Sequence, residues 1–110
     1  MEEISQLTPH QLQTLLSERP DTILLDVRED EEVAFNHIPG YTHIPMNLIP
    51  LRQNELPDDR PIVLYCHHGI RSQHAAMYLA NAGFDQLYNL KAALMLGLLK
   101  LIQPYLVIKQ

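Results

Sequence analysis

The chain has 110 residues, of which 46% are apolar, and a formal net charge of −5 at pH 7. These values predict one compact globular domain, spanning 1–110, rather than a disordered chain. No basic stripe interleaved with aromatic residues is present, which argues against a nucleic-acid partner. A single cysteine excludes an internal disulfide, and the N-terminus lacks the apolar run of a secretory signal. We therefore predict a reducing, cytoplasmic location.

A helix start is marked near the N-terminus of the sequence. Thr8 suits the N-cap, Pro9 suits the first helical position, and Gln11 completes a capping box with Thr8. Leucines at helical spacing follow, so we expect this helix to bury one face.

Apolar, β-rich stretches alternate with helical patterns over the rest of the chain. Strands are predicted for "DTILLDV" (21–27), for a short piece of "HIPGYTHIP" (37–45), for "PIVLYC" (61–66) and for "DQLYNL" (85–90). Helices are predicted for "EDEEVAF" (29–35) and for "RSQHAAMYLANAG" (71–83), the latter stopped by its glycine. The alternation predicts an α/β fold, with a mainly parallel central sheet of about five short strands and helices on both faces.

Chemically useful side chains follow two of the predicted strands. Cys66 ends one of them, and Asp26 and Arg28 lie at the end of another. Active groups in open parallel sheets lie beyond the carboxyl ends of the strands. We therefore expect the functional site at this edge of the sheet.

Cys66 has three interpretations, of which the first two are a buried structural thiol and a metal ligand. A free cysteine that ends a buried strand is commonly just a small apolar residue. The sequence "CHHGIRS" around it is unusual for a core position. A metal site beside His67 and His68 is disfavoured, because paired ligands at the spacings typical of zinc are missing. No metal and no cofactor is therefore predicted.

The third interpretation, a nucleophile, explains more of the surrounding residues. Four residues connect Cys66 to a helix that begins near Arg71 or Ser72. If this connection curls, its backbone N–H groups form an anion-binding nest at a helix N-terminus, which favours a thiolate. Gly69 supplies the backbone freedom for the curl, and Arg71 adds a permanent positive charge.

The length of the loop indicates which anion it holds. Cysteine-dependent phosphatases use the spacing C-x₅-R, whereas this chain has C-x₄-R from Cys66 to Arg71. A tighter loop fits the single outer sulfur of a persulfide better than a tetrahedral phosphate. The spacing therefore favours sulfur transfer over phosphatase or arsenate reductase chemistry.

The order and spacing of several motifs resemble those of the rhodanese (thiosulfate sulfurtransferase-like) domain. The motifs are "LLDVRE…EE", "HIPG…HIP", "LPDDRPIVLYCHHGIRS", "AAMYLANAGF" and "LYNL". The resemblance covers roughly residues 5 to 91, and the six-residue loop from Cys66 to Arg71 is its most specific part.

The resemblance implies a role for each residue of the site. It makes Cys66 the sulfur-accepting nucleophile, and it makes the backbone of His67, His68, Gly69, Ile70 and Arg71 the substrate-binding cradle. Asp26, Arg28 and Ser72 are implied as supporting residues, the first two mainly structural. The loop "YCHHG-x-RS" is similar to that of rhodanese domains that feed sulfur to carrier proteins.

The resulting hypothesis is a sulfurtransferase that uses thiosulfate or a persulfide as its donor. Cyanide, a thiol or a sulfur-carrier protein would be the acceptor. The alternative from another functional class is a non-catalytic binding module of the same fold, in which Cys66 is unreactive. His67 and His68 either shape access to the loop or are ordinary solvated residues, whereas His37 and His43 are predicted to be structural. The acidic run Glu29 to Glu32 is interpreted as an acidic first helical turn.

The C-terminal segment 92–110 departs from the family pattern. After Leu90 the family has Gly-Gly-Ile, whereas this chain has Lys91 and Ala92. Gly97 stands where the family has a tryptophan, and the chain contains no tryptophan. The segment is apolar, but Lys100 and Pro104 interrupt it, which argues against a membrane span. We expect a terminal helix that covers the sheet, with self-association and an interfacial anchor as the alternatives.

Overall fold

The computed structural model describes residues 4–38, 40–91 and 107–108 of the chain. The strands in this part are β1 (Ile4–Leu7), β2 (Ile23–Asp26), β3 (Asn36–His37), β4 (Thr42–His43), β5 (Ile62–Tyr65), β6 (Leu87–Leu90) and β7 (Val107–Ile108). The α-helices are α1 (Pro9–Glu18), α2 (Asp30–Phe35), α3 (Ile49–Arg52) and α4 (Ile70–Asn81). Two 3₁₀ turns, Met46–Leu48 and Gln53–Glu55, flank α3.

The central sheet has five strands in the order β1-β6-β5-β2-β4, and every pair in it is parallel. This confirms the predicted α/β class and the strand number. The sheet order places β5 at the centre, so the residue that follows it, Cys66, leaves the sheet from the middle of its carboxyl edge. A separate antiparallel pair joins β3 to β7.

Alternating side chains of the strands divide the core into two layers. On β5, Ile62 and Leu64 belong to the cluster that contains Ala75, Ala76 and Leu79 of α4. Val63 and Tyr65 belong instead to the cluster that includes the leucines of α1. Because successive strand residues point to opposite faces, helices cover both faces of the sheet, as predicted. All four residues of β5 are buried, which explains its uninterrupted apolar sequence.

The predicted ends of two helices are confirmed. Thr8 caps α1, and the reciprocal hydrogen bonds between Thr8 and Gln11 form the capping box, with Pro9 as the first helical residue. The C-terminal end of α4 is at Asn81, and Gly83 follows with a φ of 107°. Glycine adopts this left-handed conformation without the steric cost that a side chain would add.

Two features of the fold lie outside the sequence prediction. Strand β1 was not predicted, because it lies at the edge of the sheet and only Leu7 of its four residues is buried. The connection between β4 and β5 contains the short helix α3, anchored by the buried Ile49 within a proline-rich stretch.

The predicted terminal helix in 92–110 falls largely outside the described residues. Within it, the structure describes only Val107–Ile108, which is a strand rather than a helix. Among the described helices, none is long and apolar enough to cross a membrane.

Candidate active site around Cys66

Cys66 lies directly after β5, at the N-terminal end of α4, and its side chain is buried. Three residues, His67, His68 and Gly69, connect it to the first residue of that helix. The rings of His67 and His68 contact each other edge to face and are exposed, so they flank the loop on its solvent side. The helix thus begins one residue earlier than the sequence predicted.

Three polar groups contact the sulfur of Cys66. The backbone N–H of Gly69 donates to Sγ at 3.0 Å, and the backbone N–H of Ser72 donates at 3.4 Å. The Ser72 hydroxyl lies 3.4 Å from the same atom. Gly69 has a φ of 82°, the left-handed conformation that the curl requires. The loop therefore aims N–H groups at the sulfur. Gly69 belongs to the predicted cradle of His67 to Arg71, whereas the second donor, Ser72, lies one residue beyond it.

Behind the sulfur, Ser72 belongs to a polar network that runs from the core to the surface. Its hydroxyl donates to Oδ1 of Asn89, a residue of β6. The Nδ2 group of Asn89 donates to the carbonyl oxygen of Gly69 at 3.2 Å and to Oε1 of Gln6 at 3.0 Å. Gln6 in turn donates to Gln73 at 2.7 Å. Sequence reasoning missed Asn89 and Gln6; the available signal was a polar residue inside the apolar strand "LYNL".

Arg71 makes a bidentate ion pair with Glu32 of α2. Its Nη1 and Nη2 atoms lie 2.7 and 3.0 Å from the two carboxylate oxygens, and both side chains are about one third exposed. The hydrogen bond from Arg71 lowers the pKa of Glu32 to about 2, so this carboxylate is ionised at neutral pH. The interpretation of Glu32 as only a first-turn acid was incomplete. The two residues are 39 positions apart, and no local pattern links them.

Asp26 and Arg28 form a second ion pair, which is buried. The Nε and Nη2 atoms of Arg28 lie within 2.8 to 3.0 Å of the Asp26 carboxylate, and the Arg28 backbone N–H also donates to it. The guanidinium stacks 5.9 Å from the centre of the Tyr65 ring. The carbonyl of Arg28 pairs with Nε2 of His43 at 2.9 Å. These contacts tie the ends of β2 and β4 together.

A cleft of about 380 Å³ opens beside the loop. Among the described residues that line it, the ionisable side chains are those of His68, His74 and Lys91, and none is a carboxylate. Within the described part of the chain, no group of three or more His, Cys, Asp or Glu residues is arranged to hold a metal ion. At the loop itself, the sulfur of Cys66 faces two backbone N–H donors.

Comparison with known proteins identifies the family to which the chain belongs. The family model described as "Rhodanese-like domain" matches residues 8–95, and the chain belongs to that family. A protein named "Sulfurtransferase" from Allochromatium vinosum is 35% identical over 83% of this chain and 85% of its own length. "Thiosulfate sulfurtransferase GlpE" from Pseudomonas syringae is 36% identical over 81% of this chain and 82% of its own.

A solved structure supports the same assignment. The crystal structure of a rhodanese-like domain protein from Staphylococcus aureus superposes with a TM-score of 0.70 at 32% identity, covering 76% of this chain and 82% of that one. The fold, the family and the names of the relatives together support sulfurtransferase-like activity.

Proposed function

We propose that the protein is a sulfurtransferase that carries sulfur as a persulfide on Cys66. The observation that carries this proposal is the position of the Cys66 sulfur, 3.0 Å from the N–H of Gly69 and 3.4 Å from that of Ser72. Backbone N–H groups at the start of a helix stabilise negative charge, so they favour the thiolate that attacks the donor.

The reaction proceeds in two steps. The Cys66 thiolate attacks the outer sulfur of a donor, either thiosulfate or a persulfide; the donor's S–S bond breaks, and sulfite or a thiolate leaves. In the second step a nucleophilic acceptor attacks the outer sulfur of the Cys66 persulfide and regenerates the thiolate. Cyanide, a thiol or a sulfur-carrier protein can serve as the acceptor. No redox partner is needed, because the outer sulfur moves without net oxidation, and ping-pong kinetics follow from the covalent intermediate.

The surrounding residues have separate roles in this proposal. The loop from His67 to Arg71 forms the cradle for the outer sulfur, and Ser72 contacts the attacking atom. Asp26 and Arg28 stabilise the sheet edge on which the loop is built. The proposal requires no metal or cofactor, and the cytoplasmic location stays a prediction.

Intact-mass spectrometry tests the proposal directly. The protein is incubated with thiosulfate or inorganic polysulfide, measured, then treated with cyanide and measured again. We expect a gain of one sulfur atom that cyanide removes, and no gain in the Cys66→Ser variant. A protein that takes up no sulfur from either donor would instead be a binding module with an unreactive thiol.

A further inference from the structure

We infer that the ion pair between Glu32 and Arg71 selects the sulfur donor, and that it favours a persulfide, R–S–SH, over dianionic thiosulfate. This inference rests on the sulfur transfer proposed above and specifies the donor class for that reaction. It assigns a role in specificity to Glu32, which lies on a different helix from the nucleophile.

The geometry of the pair leaves Arg71 a poor anchor for a small anion. Two of its nitrogen atoms each donate to one oxygen of Glu32, in the fork arrangement that is the strongest form of this contact. The carboxylate is also held by the backbone N–H of Glu29, which donates to Oε1 at 2.9 Å. Glu32 is thus fixed from two sides.

The charge of the pair is balanced over the working pH range. Because the pKa of Glu32 is lowered to about 2, its carboxylate is ionised at neutral pH. Arg71 is always protonated. The other arginine near the carboxyl ends of the strands, Arg28, is held by the Asp26 carboxylate. Neither arginine therefore presents an unbalanced positive charge to a ligand at the loop.

The two donor classes respond differently to such a site. Both negative charges of thiosulfate lie on the transferred sulfur or on the sulfonate group bonded to it. Thiosulfate is therefore repelled by the Glu32 carboxylate as it approaches Arg71. A persulfide carries at most one negative charge there, and its protonated form, R–S–SH, carries none. The Cys66 thiolate attacks its outer sulfur, the S–S bond breaks, R–S⁻ leaves, and Cys66–S–SH remains. The N–H groups of Gly69 and Ser72 stabilise the attacking Cys66 thiolate, and they do so whether or not the donor carries a charge.

The test is a double-mutant cycle in which the measured quantity is the ratio of the reaction rate with thiosulfate to the rate with a persulfide. Single-turnover formation of the Cys66 persulfide is followed by quenched mass spectrometry, with thiosulfate and with zwitterionic cysteine persulfide as donors. The proteins are the wild type, Glu32→Gln, Arg71→Gln, the double variant, and Glu31→Gln. Glu31 is exposed on the same helix, so its variant changes the net charge equally without touching the pair.

The inference predicts a rate ratio that follows the charge of the pair. Glu32→Gln frees the cation and raises the ratio of thiosulfate to persulfide rates about fivefold, a gain that added salt reduces. Arg71→Gln leaves a carboxylate beside the loop and lowers the ratio by a similar factor. The double variant, neutral again, returns to within about twofold of the wild type, and Glu31→Gln does not change the ratio.

Two results would overturn the inference. One is a double variant whose ratio falls as far as that of Arg71→Gln, which would mean that Arg71 binds thiosulfate despite Glu32. The other is a ratio for Glu32→Gln equal to that for Glu31→Gln. Failure of the underlying function has a different signature, in which Cys66 takes sulfur from neither donor in any of the proteins. If one single variant does not fold, the double variant and the other single variant still decide between these outcomes.

Discussion

The hydroxyl of Ser72 donates a hydrogen bond to Oδ1 of Asn89, and this bond uses the only proton of the hydroxyl. Both N–H groups of the Asn89 amide are used by Gln6 and by the Gly69 carbonyl, so Oδ1 must face Ser72. The single hydroxyl proton is then committed, and Ser72 can only accept from the thiol of Cys66. Asn89 therefore bonds to both residues that contact the sulfur, to the hydroxyl of Ser72 and to the carbonyl of Gly69.

Replacing Asn89 by aspartate should disturb the site without changing its shape. The new carboxylate oxygen cannot donate to Gly69, and it places a negative charge near the atom that must become a thiolate. We expect alkylation of Cys66 by iodoacetamide at pH 7 to slow at least about tenfold, and the free energy of unfolding to fall by about 1–3 kcal/mol. The exposed Asn54→Asp is the matched control. Equal alkylation rates in the two variants would show that Asn89 does not act on the sulfur.

Gly69→Ala should damage both stability and sulfur transfer. A side chain at a φ of 82° costs about 1–2 kcal/mol, and relief of that strain would move the N–H that donates to Cys66. Gly83→Ala is the control, since it imposes similar strain at a φ of 107° on the far side of α4. Chemical denaturation should show a loss in both variants, whereas persulfide formation should slow only in Gly69→Ala. If persulfide formation slowed equally in Gly83→Ala, the effect of Gly69→Ala would come from lost stability alone.

The parts of the fold that sequence predicted are those encoded by local patterns. The strand β5 is recognisable because it is central and fully buried, and the start of α1 is recognisable because its capping box lies within four residues. The edge strand β1 has neither property. It is defined by pairing with β6, whose residues lie more than 80 positions away, and short patterns carry no information about such a partner.

The same distinction applies to the candidate site. The loop that curls around Cys66 is continuous in sequence, and its glycine and spacing made it recognisable. Glu32 and Asn89 reach the site from other elements of the fold, so nothing near them in the sequence indicates that contact. Ser72 lies between these cases: its position after the arginine was noted, but its bond to Asn89 depends on the packing of α4 against β6.

Asp26→Asn should destabilise the protein strongly. The carboxylate is fully buried and holds Arg28, whose side chain is only 5% exposed, so the variant would leave a buried guanidinium beside a neutral amide. Removal of one partner from a buried ion pair costs about 3–5 kcal/mol. Urea denaturation should detect this loss, and Glu55→Gln, which breaks the exposed pair with Arg52, should change the unfolding midpoint little. Similar midpoints for the two variants would contradict a structural role for Asp26.

The ion pair of Glu32 with Arg71 should also make stability depend on pH. The hydrogen bond from Arg71 lowers the pKa of Glu32 from its ordinary 4.5 to about 2 in the folded protein. A lowered carboxylate pKa stabilises the ionised fold, so the contribution is complete above pH 4.5 and is lost as the pH falls toward 2. Because the pair is about one third exposed, solvent screening reduces this contribution to about 1 kcal/mol.

Denaturation of the wild type and of Glu32→Gln at pH 7, 4 and 3 measures this dependence. The difference in unfolding free energy between the two proteins should be largest at pH 7 and should shrink at pH 3, since the variant has no carboxylate to protonate. Subtracting the variant removes the contributions of the other acidic residues, and Glu31→Gln serves as the control for a simple change in net charge. A difference that is the same at pH 7 and pH 3 would mean that Glu32 titrates normally and that its bond with Arg71 does not persist in solution.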